Sequence, residues 1–119
     1  MLGDFFTVSY HTAGALAANH SFKFKLPFDA TLVFVSAVGS NANNGILDVG
    51  TSATADLYVS NLDVGDSGTP ALVDADTEFE SDVFPHIVAG TIIAAALDYD
   101  GAGGTAVQDF TLVLGFTEG

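Results

Sequence analysis

The sequence predicts an all-β domain, an antiparallel β-sandwich of jelly-roll type with about eight strands. Three observations predict it. Ten Phe and 13 Gly against three Pro describe short strands joined by tight turns. Lys and Arg together number two, both in Lys23-Phe24-Lys25, and Gln occurs once, so helices with paired charged faces cannot be written from this alphabet. Apolar runs recur at spacings of roughly 8 to 12 residues between Gly- and Asn-rich turns, with no crossover helix between them.

The elements follow in chain order. Residues 1–10 form an N-terminal arm or a first strand. Over 20–28, Phe22, Phe24, Leu26 and Phe28 point one way while Ser21, Lys23 and Lys25 point the other, the period of a half-buried strand. Pro27 lacks a donor N–H and places the end of this strand at a sheet edge or corner. Residues 31–38 are apolar on both faces, as in a strand covered by the core on one side and by a loop or a partner subunit on the other.

Asn43-Asn44-Gly45 has the chemistry of a type I′ hairpin turn and should join that strand to the next, at 46–49. A short strand over 56–60 turns Leu57 and Val59 inward, and 63–70 is a surface loop. Over 71–86, Asp74, Asp76, Glu78, Glu80 and Asp82, with Asp66 just before, are interleaved with Val73, Phe79, Val83 and Phe84 in a solvated edge strand or long loop. Residues 91–99 are Ala-rich but of strand length between Gly90 and Asp100-Gly101, so a strand is predicted. The chain closes on a core strand in which Phe110, Leu112, Leu114 and Phe116 face inward.

One domain over 1–119 accommodates this pattern, because single cores usually hold about 100 to 150 residues. An apolar fraction of 49% and a mean hydropathy of +0.44 exclude a disordered chain. Fifteen carboxylates against two lysines set the formal charge at −13, which repels phosphate backbones and anionic lipid. Neither nucleic acid nor a membrane is expected as partner. The chain has no Cys, hence no disulfide and no thiolate metal site. The N-terminus lacks a basic region followed by an apolar run, so synthesis in the cytoplasm is expected.

The residues carry little chemistry, and no enzyme activity is expected. His11, His20 and His86 are scattered without metal-ligand spacing, and no Ser sits in a G-x-S-x-G elbow. Some carboxylate pair must lie close in so acidic a chain, but a glycosidase cleft also stacks sugar on exposed aromatics, and there is no Trp. Asp98-Tyr99-Asp100-Gly101 and the stretch from Asp74 to Asp82 offer oxygen ligands to calcium, yet lack the spacing of a twelve-residue calcium loop. Gly101 to Thr105 has no following helix and no adjacent Lys, so it reads as a hairpin tip, not a phosphate cradle. Asn19-His20-Ser21 fits a glycosylation sequon that only a secretory route would use. No metal and no cofactor is expected.

Three stretches carry a resemblance. FKFKLPFDATLVFVS at 22–36, DVGTS at 48–52 with GDSGTP at 65–70, and DYDGAGGTAVQDFTLVLGFTEG at 98–119 resemble small β-sandwich decoration, or cement, proteins of tailed-phage heads. That resemblance implies a virion protein on the capsid exterior, bound to the major capsid protein as a homo-oligomer, with a trimer favoured. Its contact elements would be Phe5, Phe6 and Tyr10 in the N-terminal segment and Phe84, Pro85 and His86 in a loop. For each, burial in the domain's own core is the competing reading. The alternative functions are a carbohydrate-binding module, for which Tyr10, Tyr58 and Tyr99 are the planar candidates, and a tail or baseplate subunit.

Overall fold

The computed structural model describes residues 4–119, so the start of the expected arm, residues 1–3, lies outside the described part. Among the described residues nine strands form two antiparallel sheets. The larger sheet is ordered β1 (Phe5–Ala15), β9 (Gln108–Glu118), β3 (Ala30–Val38), β6 (Ala71–Val73), and the two-residue β7 (His86–Ile87) also pairs with β3. The smaller is ordered β2 (His20–Lys25), β8 (Ile92–Asp98), β4 (Ile46–Thr51), β5 (Val59–Asp63). Strands β1 to β4 alternate between the sheets and β8 and β9 do so again, so the chain wraps around its core as a jelly roll. The strand beyond the predicted eight is β7.

The alternation in β9 produces the core directly. Phe110, Leu112, Leu114 and Phe116 are buried on the inner face, while Thr111, Val113 and Thr117 are half-buried on the outer one. Opposite them stand Leu47 and Val49 of β4 with Ile93, Ala95 and Leu97 of β8. Burial of each large apolar side chain contributes about 1.5–3 kcal/mol, and no buried charge subtracts from it among the described residues. The Ala-rich run forms a strand because β8 lies between β2 and β4, where ladder bonds on both edges outweigh the helix propensity of Ala.

The apolar run at 31–38 has an origin other than a covered second face. Leu32 pairs with Phe116 and Phe34 with Gly115, so Val33 is an extra residue in β3. This β-bulge reverses the alternation: Ala30 and Leu32 point into the core before it, Val35 and Ala37 after it. Val33 and Phe34 are left half-buried at the reversal.

Four local expectations are corrected. Asn43-Asn44-Gly45 is no hairpin, because β3 and β4 belong to different sheets. Asn44 instead ties the crossover to the chain before β9: its Oδ1 accepts from the Thr105 N–H at 3.0 Å, and Gly45 packs so closely on Val107 that a side chain there would overlap it. The segment Gly101 to Thr105 likewise crosses between sheets, from β8 to β9, with Gly101 and Gly103 against Asn44. The strand placed at 56–60 runs over Val59–Asp63, and Leu57 is exposed at 46% because residues 52–56 fold back over Gly50. Finally, β2 ends at Lys25, before Pro27, so Phe28 leaves the strand pattern and is 38% exposed. The acidic stretch contains the short edge strand β6 and a 3-10 turn at Asp76–Glu78.

Candidate interaction surface

Because β1 is the outermost strand of the larger sheet, its alternation sends residues to two different surfaces. Phe5, Thr7, Ser9 and His11 are exposed on the outer face, and Phe6, Val8 and Tyr10 are half-buried against the core. Tyr10 and Phe6 therefore sit at the side opening of the sandwich, where β1 overlies β2.

Aromatic rings line this opening. Phe6 stacks on Phe116 at 5.1 Å between centroids and meets Phe28 edge-on at 5.3 Å. Tyr10 lies 5.0 Å from Phe22, which lies 5.7 Å from Phe24. The Tyr10 hydroxyl and His20 Nδ1 are hydrogen-bonded at 2.8 Å, giving the half-buried phenol a partner. The row follows from the two-residue periods of β1 and β2, which place their inward residues opposite one another.

Over three successive rows the outer face of the larger sheet carries no charged side chain apart from histidine, and Asp109 lies beyond them near His11. These rows read Phe5, Thr117, Thr31 and His86, then Thr7, Gly115 and Phe34, then Ser9, Val113, Ser36 and Leu72. Phe5 stacks on Phe34 at 6.0 Å and is 57% exposed. Of the second predicted contact group, His86 shares the row of Phe5 across the sheet, Pro85 is buried with its carbonyl accepting from Leu32, and Phe84 packs edge-on against Phe79. Of the six predicted contact residues, Phe5 and His86 thus share one surface and Phe6 and Tyr10 another, while Pro85 is buried and Phe84 packs on Phe79.

Several carboxylates serve as loop anchors. Asp66 accepts from the Gly68 and Thr69 N–H groups and the Thr69 hydroxyl, Glu78 from the Asp74 and Ala75 N–H groups, and Asp109 from the Gly14 N–H and the Ser40 hydroxyl. These bonds favour the ionised form and hold all three below the ordinary carboxylate range, led by the Thr69 hydroxyl for Asp66, the Asp74 N–H for Glu78 and the Gly14 N–H for Asp109. Asp98 accepts from the Gly101 N–H, the turn reading of that segment. Among the described residues no three His, Asp or Glu side chains come together as a metal site.

His11 and Thr111 form a pair that sequence distance concealed, with Nδ1 and Oγ1 2.8 Å apart across β1 and β9. The pair is exposed, and His11 is a further, smaller cause of the lowered Asp109 pKa. A groove of about 380 Å³ lies elsewhere, on the outer face of the smaller sheet between Ser21, Asp48, Asn61 and Asp98. There Asp48 accepts from the Asn61 N–H at 2.8 Å. Tyr58 is buried, which raises its phenol above the ordinary value, and Tyr10 and Tyr99 are half-buried against the core. Their rings do not form one exposed platform.

No protein-family model matches the chain, and no curated protein does. Among solved structures, it is similar to a chain of the capsid asymmetric unit of cyanophage Pam1, with a TM-score of 0.60 and 18% identity over 99% of this chain and 87% of that one. A chain of the acid-stable capsid of Helicobacter pylori bacteriophage KHP30 aligns over 94% of this chain and 93% of its own, with 16% identity and a TM-score of 0.45. At 18% identity the likeness to the Pam1 chain is one of fold.

Proposed function

We propose that this chain is a structural virion protein of a phage, a decoration or cement protein that binds the outside of the capsid and stabilises contacts between capsomers. The observation that carries the reading is the likeness, over 99% of the chain, to a component of the cyanophage Pam1 capsid. Its surface supports binding in preference to catalysis: a sheet face with three carboxylate-free rows and an aromatic side opening are present, whereas several carboxylates anchor loops. Charge of −13 suits a position facing solvent, away from packaged DNA.

The mechanism is linkage. A protein that binds the assembled lattice and not free subunits stabilises the lattice by mass action, and many weak sites add over a shell. The partner is the major capsid protein, and synthesis is in the host cytoplasm. The chain acts as a homo-oligomer; the trimer implied by sequence resemblance requires head-to-tail contacts, while the geometry of β1 favours a two-fold one.

Sedimentation tests the reading. Purified protein added to phage capsids lacking it should pellet with them to saturation and raise their melting temperature. Absence of saturable binding, together with a specific signal on a glycan array, would instead support the carbohydrate-binding alternative.

A further inference from the structure

The two sheets end in edge strands, and three of these are guarded. An unguarded edge presents unpaired N–H and C=O groups to any other strand, and proteins block this with charge, proline, bulges or shortness. Strand β2 carries the chain's two lysines, Lys23 and Lys25, and is followed by Pro27. Strand β5 has a register shift against β4, a left-handed Asn61 at φ 55° and a terminal Asp63. Strand β6 is three residues long. Strand β1 has none of these features from Phe5 to Thr12: it is 11 residues long, bears no carboxylate, Lys or Pro, and is irregular only between Thr12 and Ala15.

Its ladder also points outward in a defined way. Glu118 donates its N–H to the Asp4 carbonyl at 2.9 Å, so Asp4 and Glu118 form a hydrogen-bonded antiparallel pair. The pattern alternates, so Phe6, Val8 and Tyr10 bond to β9, and the N–H and C=O groups of Phe5, Thr7, Ser9 and His11 face the open edge. Among the described residues nothing bonds to these groups.

We propose that this edge pairs with β1 of a second copy of the chain, antiparallel and across a two-fold axis at Val8, joining the two larger sheets into one. This does not depend on the capsid reading. Charge selects the occupant. A basic partner would gain from carboxylates at the contact, whereas a copy carrying −13 must meet through a surface without them, and β1 is such a surface. An antiparallel edge is also self-complementary, because a two-fold axis sets each free N–H opposite a free C=O.

The axis at Val8 is the register that uses every side chain well. Phe5 pairs with His11 and Thr7 with Ser9 on the outer face, and these are the hydrogen-bonded positions. On the inner face Phe6 stands opposite Tyr10 and Val8 opposite Val8, so the aromatic row at the side opening is covered. Asp4 stands opposite Thr12, and no carboxylate of β1 faces another.

The absence of Cys makes the register testable. Across the axis the two Val8 positions form a non-hydrogen-bonded pair, with Cα atoms about 4.5 Å apart, within reach of a disulfide. Val8→Cys should therefore give a covalent dimer under mild oxidation, and Thr7→Cys, whose copies lie two positions out of register, should not. In sedimentation equilibrium the unmodified protein should dimerise. Ser9→Pro removes an outward N–H without touching the ladder to β9 and should weaken dimerisation about tenfold or more, since two bonds are lost per dimer. Circular dichroism and thermal melting check that this variant keeps its fold; if it does not, the Val8→Cys and Thr7→Cys comparison decides. A chain that stays monomeric up to millimolar concentration, or a trimer indifferent to Ser9→Pro, would overturn the proposal. Capsid binding by a protein that never dimerises would sink it while leaving the decoration reading intact.

Discussion

The ring of Phe34 occupies the space that a side chain at Gly115 would fill: a Cβ built there would overlap the ring's Cδ2 and Cε2 atoms. The two residues are paired across β3 and β9, directly after the Val33 bulge, and Phe5 stacks on the outer side of the same ring. Gly115→Ala should displace the ring and cost about 1–3 kcal/mol, the usual range for overpacking. Thermal melting would register this as a drop of several degrees. On a Phe34→Ala background the same substitution should cost much less, and a double-mutant cycle measures that coupling.

Phe116 is fully buried at the centre of the sandwich, stacked on Phe6 and edge-on to Phe24 at 6.1 Å. Truncation to Ala should cost about 3–5 kcal/mol by denaturant unfolding, through lost transfer energy and the cavity left behind. Phe28→Ala, at an exposed position touching the same cluster, should cost far less.

Asp82 holds a left-handed backbone, φ 58°, on the exposed acidic stretch. Glycine adopts this conformation without the Cβ penalty, and the change also removes one of 15 carboxylates. Asp82→Gly should raise stability by about 0.5–1 kcal/mol, less any entropy gained by the unfolded chain. A variant less stable than the parent would show that the carboxylate itself matters.

Acid should loosen the loops in a defined window. Asp66, Glu78 and Asp109 have folded pKa values below their ordinary 3.8 or 4.5, so the folded state binds their protons less readily than the unfolded state. Their contribution is complete above those ordinary values and is lost as pH falls below them toward the folded values. Asp109→Asn tests one anchor in isolation, because Asn tolerates the φ of 50° at this position. Its stability should fall less steeply below about pH 4 than that of the parent.

Added salt should stabilise the fold. A charge of −13 on a small domain repels itself, and raising ionic strength from 0.01 to 0.1 M shortens the screening length from about 30 to about 10 Å. The midpoint of urea unfolding should shift upward over that range and then level off. The same screening should strengthen dimerisation through β1, a change that sedimentation in the same buffers would record.

The all-β class, the core face of β9 and the half-buried period of β2 are legible along the chain, because each rests on a local two-residue alternation that needs no partner to be read. The preference for strand over helix in the Ala-rich β8 is legible as well. Sheet membership depends on long-range pairing that no local pattern carries. Asn43-Asn44-Gly45 has hairpin chemistry, but its flanking strands part to different sheets, and long-range bonds from Asn44 outweigh the local turn preference. The bulge at Val33 was invisible for the same reason, since an apolar run covered on both faces and a run that reverses its alternation read alike. The candidate contact residues are legible as two segments, yet the separation of Phe5 from Phe6 and Tyr10 comes from the edge position of β1, and the burial of Pro85 from its packing against β3. The pairing of His11 with Thr111 and the open ladder of Phe5, Thr7, Ser9 and His11 arise from contacts a hundred residues apart in the chain, and no local pattern encodes which strand lies at an edge.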